Sequence, residues 1–153
     1  MEKEYKCGYT HCLHGGTVAS SLAIKDGVKY YHPDCLQQKK DKRKVVNIFY
    51  KHINKTEVGA QLTKIINEIV DSGKATSEFL LYAICYVVHH KIPLKHAAGL
   101  FYIINDDKIK KAYSKMKAQQ ALQNMKIDNV EVVEAPQFEL KESKNKGWGD
   151  LLR

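Results

Sequence analysis

The sequence has few of the features that mark membrane or secreted proteins. Its 153 residues contain no apolar run of the roughly 18 residues that a membrane span needs. The N-terminal residues MEKEYKC do not form the charged and then apolar pattern of a secretory leader. Only four cysteines are present. We therefore expect an intracellular, cytoplasmic protein with no membrane partner, whose cysteines are metal ligands or buried thiols and not disulfides.

Acidic residues are also in short supply. Asp and Glu number 17 against 25 Lys and Arg, which gives a formal net charge of +8. This excess favours a polyanionic partner, and by itself it supports RNA, DNA or an acidic protein equally. The Gly15-Gly16 pair lacks the Lys-Ser/Thr sequence that follows the glycines of a phosphate-binding loop. We expect neither an enzyme nor a small-molecule substrate.

Four potential metal ligands fall in two pairs near the N-terminus: Cys7, Cys12, His32 and Cys35. Between the pairs, TVASSLAI and VKYY flank an Asp-Gly dipeptide, which predicts a β-hairpin. Pro33 suits the first turn of a helix. Paired thiolate and imidazole ligands in this layout predict one structural Zn²⁺ in a treble-clef-like module. His11 or His14 could replace Cys12 as a ligand, although thiolates are the commoner choice in structural sites.

The C-x4-C and H-x2-C pairs, with YYHPDCL at the second, resemble half of a LIM domain or a PARP-type finger. The resemblance covers residues 7–35 only. It implies a hairpin between the ligand pairs, a zinc ion with a structural role, and a module that binds partners and does not catalyse. The first pair is wider than is usual in those families, and the second zinc module of a LIM domain is missing.

A dense basic segment follows the proposed finger. If the helix that begins at Pro33 continues, its cations project from the finger and could contact phosphates. The predicted nucleic-acid-binding residues are Lys39, Lys40, Lys42, Arg43, Lys44 and Lys51. The alternative for such a run is a solvated helix face. Nearby tyrosines could stack on unpaired bases or cover the core of the finger, namely Tyr5, Tyr9, Tyr30 and Tyr31.

The middle of the chain has helical periodicity. A stripe from Val58 to Ile69 predicts a helix over 56–72 with Thr56 as its N-cap and Gly73 as its stop. A nearly all-apolar helix follows, capped by Thr76 or Ser77, in which we expect Cys85 to be buried. Residues 95–104 could be a short helix or a buried strand. A last helix, capped within 105–107, should reach about residue 123 and carry a cationic side.

The predicted fold is therefore mainly α, with a small N-terminal zinc-binding β-hairpin module and a compact helical bundle. We expect a zinc finger at 1–38, a basic connecting helix at 39–55, a helical bundle at 56–125 and an acidic tail at 126–153. The tail carries the only tryptophan in a short apolar motif that suits contact with a larger protein. Its predicted partner-binding residues are Trp148, Leu151 and Leu152.

Two functions remain open on the sequence. The first is a non-catalytic, zinc-stabilised protein that binds DNA or RNA as an accessory factor in replication, transcription or defence interference. The alternative is an adaptor or inhibitor that binds a larger enzyme through the finger or the tail. The small, lysine-rich modules are a weak indication of a bacteriophage or mobile-element protein.

Overall fold

The computed structural model describes the backbone of residues 1–128 and the side chains of residues 1–125. The elements are, in chain order, β1 (Glu4–Lys6), β2 (Thr17–Ala19), β3 (Ile24–Asp26), β4 (Lys29–Tyr31), α1 (Pro33–Ile48), a π-helical turn (Phe49–Ile53), α2 (Gly59–Asp71), α3 (Ser77–His89), α4 (Gly99–Asn105) and α5 (Asp107–Asp128). The described part is thus mainly helical, with strands only near its N-terminus. None of its helices is both long enough and apolar enough to cross a membrane.

The strands form two short antiparallel hairpins. Strand β1 pairs with β2 in the register Tyr5 to Val18, and β3 pairs with β4 in the register Lys25 to Tyr30. Gly27 takes φ +64° in the tight turn of the second hairpin, as the Asp-Gly dipeptide predicts. The prediction of one long strand through TVASSLAI is wrong. Its first residues pair with β1, and a turn closed by the bond from the Leu22 amide to the Ala19 carbonyl ends β2.

Helix α1 begins at Pro33, as predicted, with His32 as its N-cap. It continues through the basic segment, so one helix connects the hairpins with the rest of the fold. Its inner face buries Asp41 and Val45. The helix then widens into the π-helical turn, where the Asn54 amide donates to the Phe49 carbonyl over 3.0 Å.

The other helices enclose an apolar core, to which α3 contributes Leu80, Ala83, Ile84 and Val87. Thr76 caps α3, because its side chain accepts a hydrogen bond from the Phe79 amide. Residues 99–105 form a helix, which decides the ambiguity left by the sequence. The core residues with no exposed surface include Val45, Phe49, Leu62, Ile69, Leu80, Ala83, Ile84, Ala97 and Leu100.

Three sequence expectations about these helices are wrong. Helix α2 begins at Gly59 and not after Thr56, because Asn54 Oδ1 accepts from both the amide and the hydroxyl of Thr56 in a local turn. Val58 is 62% exposed, since it precedes the helix and its apolar stripe. Cys85 is exposed, because it lies on the side of α3 opposite the core.

Residues 1–119 form one compact unit, and a second unit begins at Gln120 within α5. Inside the first unit, polar contacts join α1 to the later helices. Lys42 Nζ lies 2.7 Å from Asp71 Oδ1 at the end of α2. Ser77, at the start of α3, donates its hydroxyl to the buried carboxylate of Asp41 over 3.1 Å. These contacts fix the direction of α1 relative to the core.

Candidate metal centre and the cationic face of helix α1

Four different segments bring Cys7, Cys12, His32 and Cys35 together. Cys7 follows β1 and forms a bridge to Tyr30 in β4, and Cys12 lies in the loop before β2. His32 follows β4, and Cys35 occupies the first turn of α1. Their potential ligand atoms all lie within 4.8 Å of one another. The cluster could therefore hold a metal ion, and it contains all four ligands that the sequence predicts.

Three of the distances between these atoms are close to the edges of a zinc tetrahedron. Cys12 Sγ lies 3.8 Å from Cys35 Sγ, while His32 Nδ1 lies 3.4 Å from Cys12 Sγ and 3.9 Å from Cys35 Sγ. Tetrahedral zinc, with Zn–S of about 2.3 Å and Zn–N of about 2.0 Å, requires edges of about 3.8 and 3.5 Å. A disulfide would bring two sulfur atoms to about 2.05 Å. The spacing therefore fits metal coordination and not a disulfide.

The surroundings of the cluster also suit a metal. Cys7 and Cys35 are 6% and 2% exposed, and Tyr31 and Leu36 pack against them. In the absence of a cation, burial and then contact with the other two thiols raise the pKa of Cys35 to about 12. Burial also acts to raise the pKa of Cys12, but hydrogen bonds from the amides of His14 and Gly16 outweigh it and lower that pKa. Such N–H···S bonds stabilise a thiolate ligand.

The alternative ligands lie outside the cluster. His11 Nε2 is 3.5 Å from Asp71 Oδ2, and His14 Nε2 is 3.5 Å from Asp34 Oδ2. The His14 ring packs against that of His32 with centroids 4.6 Å apart. His14 therefore has a place beside the cluster, where its ring contacts one ligand and its amide contacts another.

Asp71 is a site residue that sequence reasoning missed. Its carboxylate accepts from the Tyr9 hydroxyl over 2.9 Å and pairs with Lys42 and His11. Burial, followed by the bond to Asp71, raises the pKa of Tyr9 above its ordinary value. Asp71 thus ties the loop between Cys7 and Cys12 to α1 and α2. Its partners lie 29 to 62 residues away in sequence, so no local pattern could have identified it.

The basic residues of α1 divide into two groups. Lys39 donates to Asp26 and to the Tyr31 hydroxyl, and Lys42 donates to Asn67 and Asp71. Both lysines therefore have partners within the fold. Three others are exposed and form no ion pair within residues 1–125: Lys40, Arg43 and Lys44. Lys51, in the π-helical turn, is exposed as well.

Outside this cluster, two more histidines lie near a cysteine. His89 and His90 are exposed at the end of α3 near Cys85. Within the described residues, these three side chains do not come close enough together to form a second metal-binding group. The predicted partner-binding residues Trp148, Leu151 and Leu152 lie outside the described residues.

A scan of protein-family models and searches of curated proteins and of solved structures each returned no match for this chain.

Proposed function

We propose that this protein is a non-catalytic, zinc-stabilised nucleic-acid-binding protein. In this proposal, Cys7, Cys12, His32 and Cys35 hold one Zn²⁺ in a treble-clef finger, and the exposed side of α1 contacts phosphates. An accessory role in replication, transcription or defence interference would suit such a protein.

The choice of zinc follows from the donor set. Three sulfur atoms and one imidazole nitrogen within 4.8 Å of one another suit a structural zinc site, whereas magnesium and calcium prefer oxygen ligands. Four protein ligands fill a tetrahedron and leave no position for a water nucleophile. The ion therefore supports the fold of the finger in this proposal, and the partner binds elsewhere.

The observation that carries the proposal is the arrangement of cations on α1. Successive helical residues turn by about 100°, so Lys40, Arg43 and Lys44 share one face of α1. All three are exposed, whereas Asp41 and Val45, on another side of α1, are buried. Exposed cations on one helix, with no ion-pair partner among residues 1–125, form a surface that attracts a phosphate backbone. We call Lys40, Arg43 and Lys44 the cationic face.

Zinc would set the orientation of this face. Cys35 lies in the first turn of α1, within five residues of Lys40, and the hairpin residue Asp26 holds Lys39 at 2.8 Å. The helix is thereby attached to the finger at the end where the cations begin. Lys39 and Lys42 are left out of the proposed contact set because their ammonium groups are already engaged, and Lys51 extends the set beyond the helix.

The decisive experiment compares two triple variants that lose the same charge. In one, Lys40, Arg43 and Lys44 are replaced by Gln. In the matched control, Lys108, Lys110 and Lys111 of α5 are replaced by Gln, because they are also exposed. Fluorescence anisotropy across a salt series, with labelled single- and double-stranded DNA and RNA, gives the slope of log K against log salt. Loss of three phosphate contacts should reduce that slope by about 2 to 3 for the cationic-face variant only.

Two results would contradict the proposal. If the unaltered protein binds none of the strands at low salt, the nucleic-acid function fails. If both triple variants lose affinity equally, net charge and not the cationic face explains binding.

The competing function is a protein-binding adaptor. It is favoured by apolar side chains that the finger exposes to solvent, namely Leu13 at 77%, Leu22 at 63% and Val28 at 91%. Absence of nucleic-acid binding, together with retained zinc and fold, would support it.

A further inference from the structure

A groove on the finger adjoins the cationic face. Two neighbouring depressions share the segment Gly8 to Thr10 on one wall and Val28 and Lys29 on the other. The larger has a volume of about 830 Å³, and its lining also includes Tyr5, Tyr30 and the ligand residues Cys7 and Cys12. The lining of the smaller includes Arg43. The groove is thus lined by a pair of aromatic rings and by one residue of the cationic face.

Tyr5 and Tyr30, which line this groove, form a stacked pair. Their ring centroids are 3.9 Å apart and their planes differ by 13°. The strands hold the pair in place, because the Gly8 amide donates to the Tyr30 carbonyl over 2.8 Å and Cys7 bridges to the same residue. Both rings are half-buried and line the groove, so part of each ring remains accessible.

The other two tyrosines of the finger have structural roles. Tyr31 is 4% exposed and belongs to the buried cluster around the ligands, and Tyr9 packs against that cluster and bonds to Asp71. Tyr5 and Tyr30 are not part of this buried cluster. The stack is therefore not needed to cover the ligands, and it presents aromatic surface beside the groove.

Cations accompany the stack along the groove. Lys6 and Lys29 are exposed on its walls, and Lys3, which is not part of the lining, places its ammonium over the Tyr5 ring at 5.3 Å from the centroid. The carboxylate of Asp26 is the opposing charge, but Lys39 Nζ pairs with it at 2.8 Å. A chain of phosphates could follow the groove from these lysines to Arg43.

We propose that the groove binds single-stranded nucleic acid, with an unpaired base stacked against the Tyr5–Tyr30 pair and the adjoining phosphates near Lys29 and Arg43. This inference rests on the proposed function and specifies its ligand. Base stacking on aromatic side chains requires a free base face, which a duplex does not offer. The site therefore selects single strands, whereas the cationic face alone attracts any phosphate backbone.

The first test uses the unaltered, zinc-containing full chain and two labelled strands. One is an oligothymidine of about 12 nucleotides, within the usual size of single-strand sites, and the other is an abasic strand of the same length and charge. Stacking of one base should make the oligothymidine bind about tenfold more tightly at equal salt. Equal affinities for the two strands would overturn the stacking site.

The second test uses variants of the stack. Tyr5→Leu keeps apolar volume but removes the aromatic face, so it should lower the affinity for oligothymidine about tenfold and leave abasic-strand binding unchanged. Tyr5→Phe should bind like the unaltered protein. Tyr102→Ala is the control, because that ring is 81% exposed on α4 and does not line the groove.

The outcomes separate the two proposals. If both strands bind equally, with a steep salt dependence that the cationic-face variant reduces, the stacking site fails and the proposed function stands. If neither strand binds at low salt, both fail. Zinc content and circular dichroism of Tyr5→Leu establish that a loss of affinity does not come from loss of fold.

Discussion

Replacing Lys42 by methionine should destabilise the fold without weakening phosphate contacts. The Lys42 ammonium lies 2.7 Å from Asp71 Oδ1, 3.0 Å from Asn67 Oδ1 and 5.0 Å from the Tyr9 ring centroid. The side chains of Lys42 and Asp71 are only 14% and 10% exposed. Methionine keeps the apolar stem of the lysine, so the change removes mainly the charge and leaves the carboxylate without its closest cation.

The expected loss of stability can be estimated from these contacts. Removal of one partner from a buried ion pair costs about 3–5 kcal/mol. Asp71 retains its contacts with the hydroxyl of Tyr9 and with His11. We therefore expect the free energy of unfolding to fall by about 2–3 kcal/mol, at or below the lower end of that range. For a chain of this size, such a loss lowers the melting temperature by roughly 4–12 °C.

The matched control is Lys44→Met, which makes the same substitution at an exposed position two residues away. It should change the free energy of unfolding by less than about 0.5 kcal/mol. The two variants should have the opposite effects on nucleic-acid binding. Lys44→Met should reduce the slope of log K against log salt by about 0.9, and Lys42→Met should not change it. Urea denaturation and anisotropy measure the two quantities.

Equal stability of the Lys42 and Lys44 variants would refute this reasoning. It would mean that the Lys42–Asp71 pair does not join α1 to α2 in solution. A reduced salt slope for Lys42→Met, with stability unchanged, would return this lysine to the set of phosphate contacts that the sequence predicts.

Two further predictions concern the finger. Elemental analysis should find about one zinc per chain in the unaltered protein and none in Cys35→Ala. The finger of that variant should unfold, because so small a module needs its metal. Metal-free protein with a folded finger would refute the zinc site. Gly8→Ala should destabilise the finger by about 1–3 kcal/mol, because a Cβ atom there would lie 2.8 Å from Tyr31 Cζ and 2.9 Å from Lys29 Cβ. Urea titration of the far-ultraviolet circular dichroism measures this loss, and exposed Thr10→Ala, which should be nearly neutral, is its control.

The ligand cluster was predictable because its signals are local. The Asp26-Gly27 turn and Pro33 each fix the backbone over a few residues, and the ligand pairs lie beside them. The sequence could not separate Cys12 from His11 and His14, because all three lie in one short loop. The fold separates them, since Asp71 and Asp34 lie beside the two histidines.

The sequence predicts the presence of the helices better than it predicts where each helix begins and which of its sides is buried. Thr56 has the chemistry of an N-cap, but Asn54 engages its amide and hydroxyl and delays the start of α2. Helix α3 is apolar on nearly all sides, so its sequence did not indicate that Cys85 faces solvent. Packing against α1 and α4 decides which side is buried, and that information lies in distant residues.

The basic segment shows why a run of like charges is hard to interpret from sequence alone. Lys39, Lys40, Lys42 and Lys44 have the same chemistry, but the helix points them in different directions. Lys39 meets the hairpin at Asp26, 13 residues earlier, and Lys42 meets α2 at Asp71, 29 residues later. Those two lysines hold the finger and the core to one helix. These contacts fix how α1 is turned, and with it the direction of Lys40, Arg43 and Lys44, which form no ion pair within residues 1–125. The structural lysines thereby orient the surface that we propose for nucleic acid.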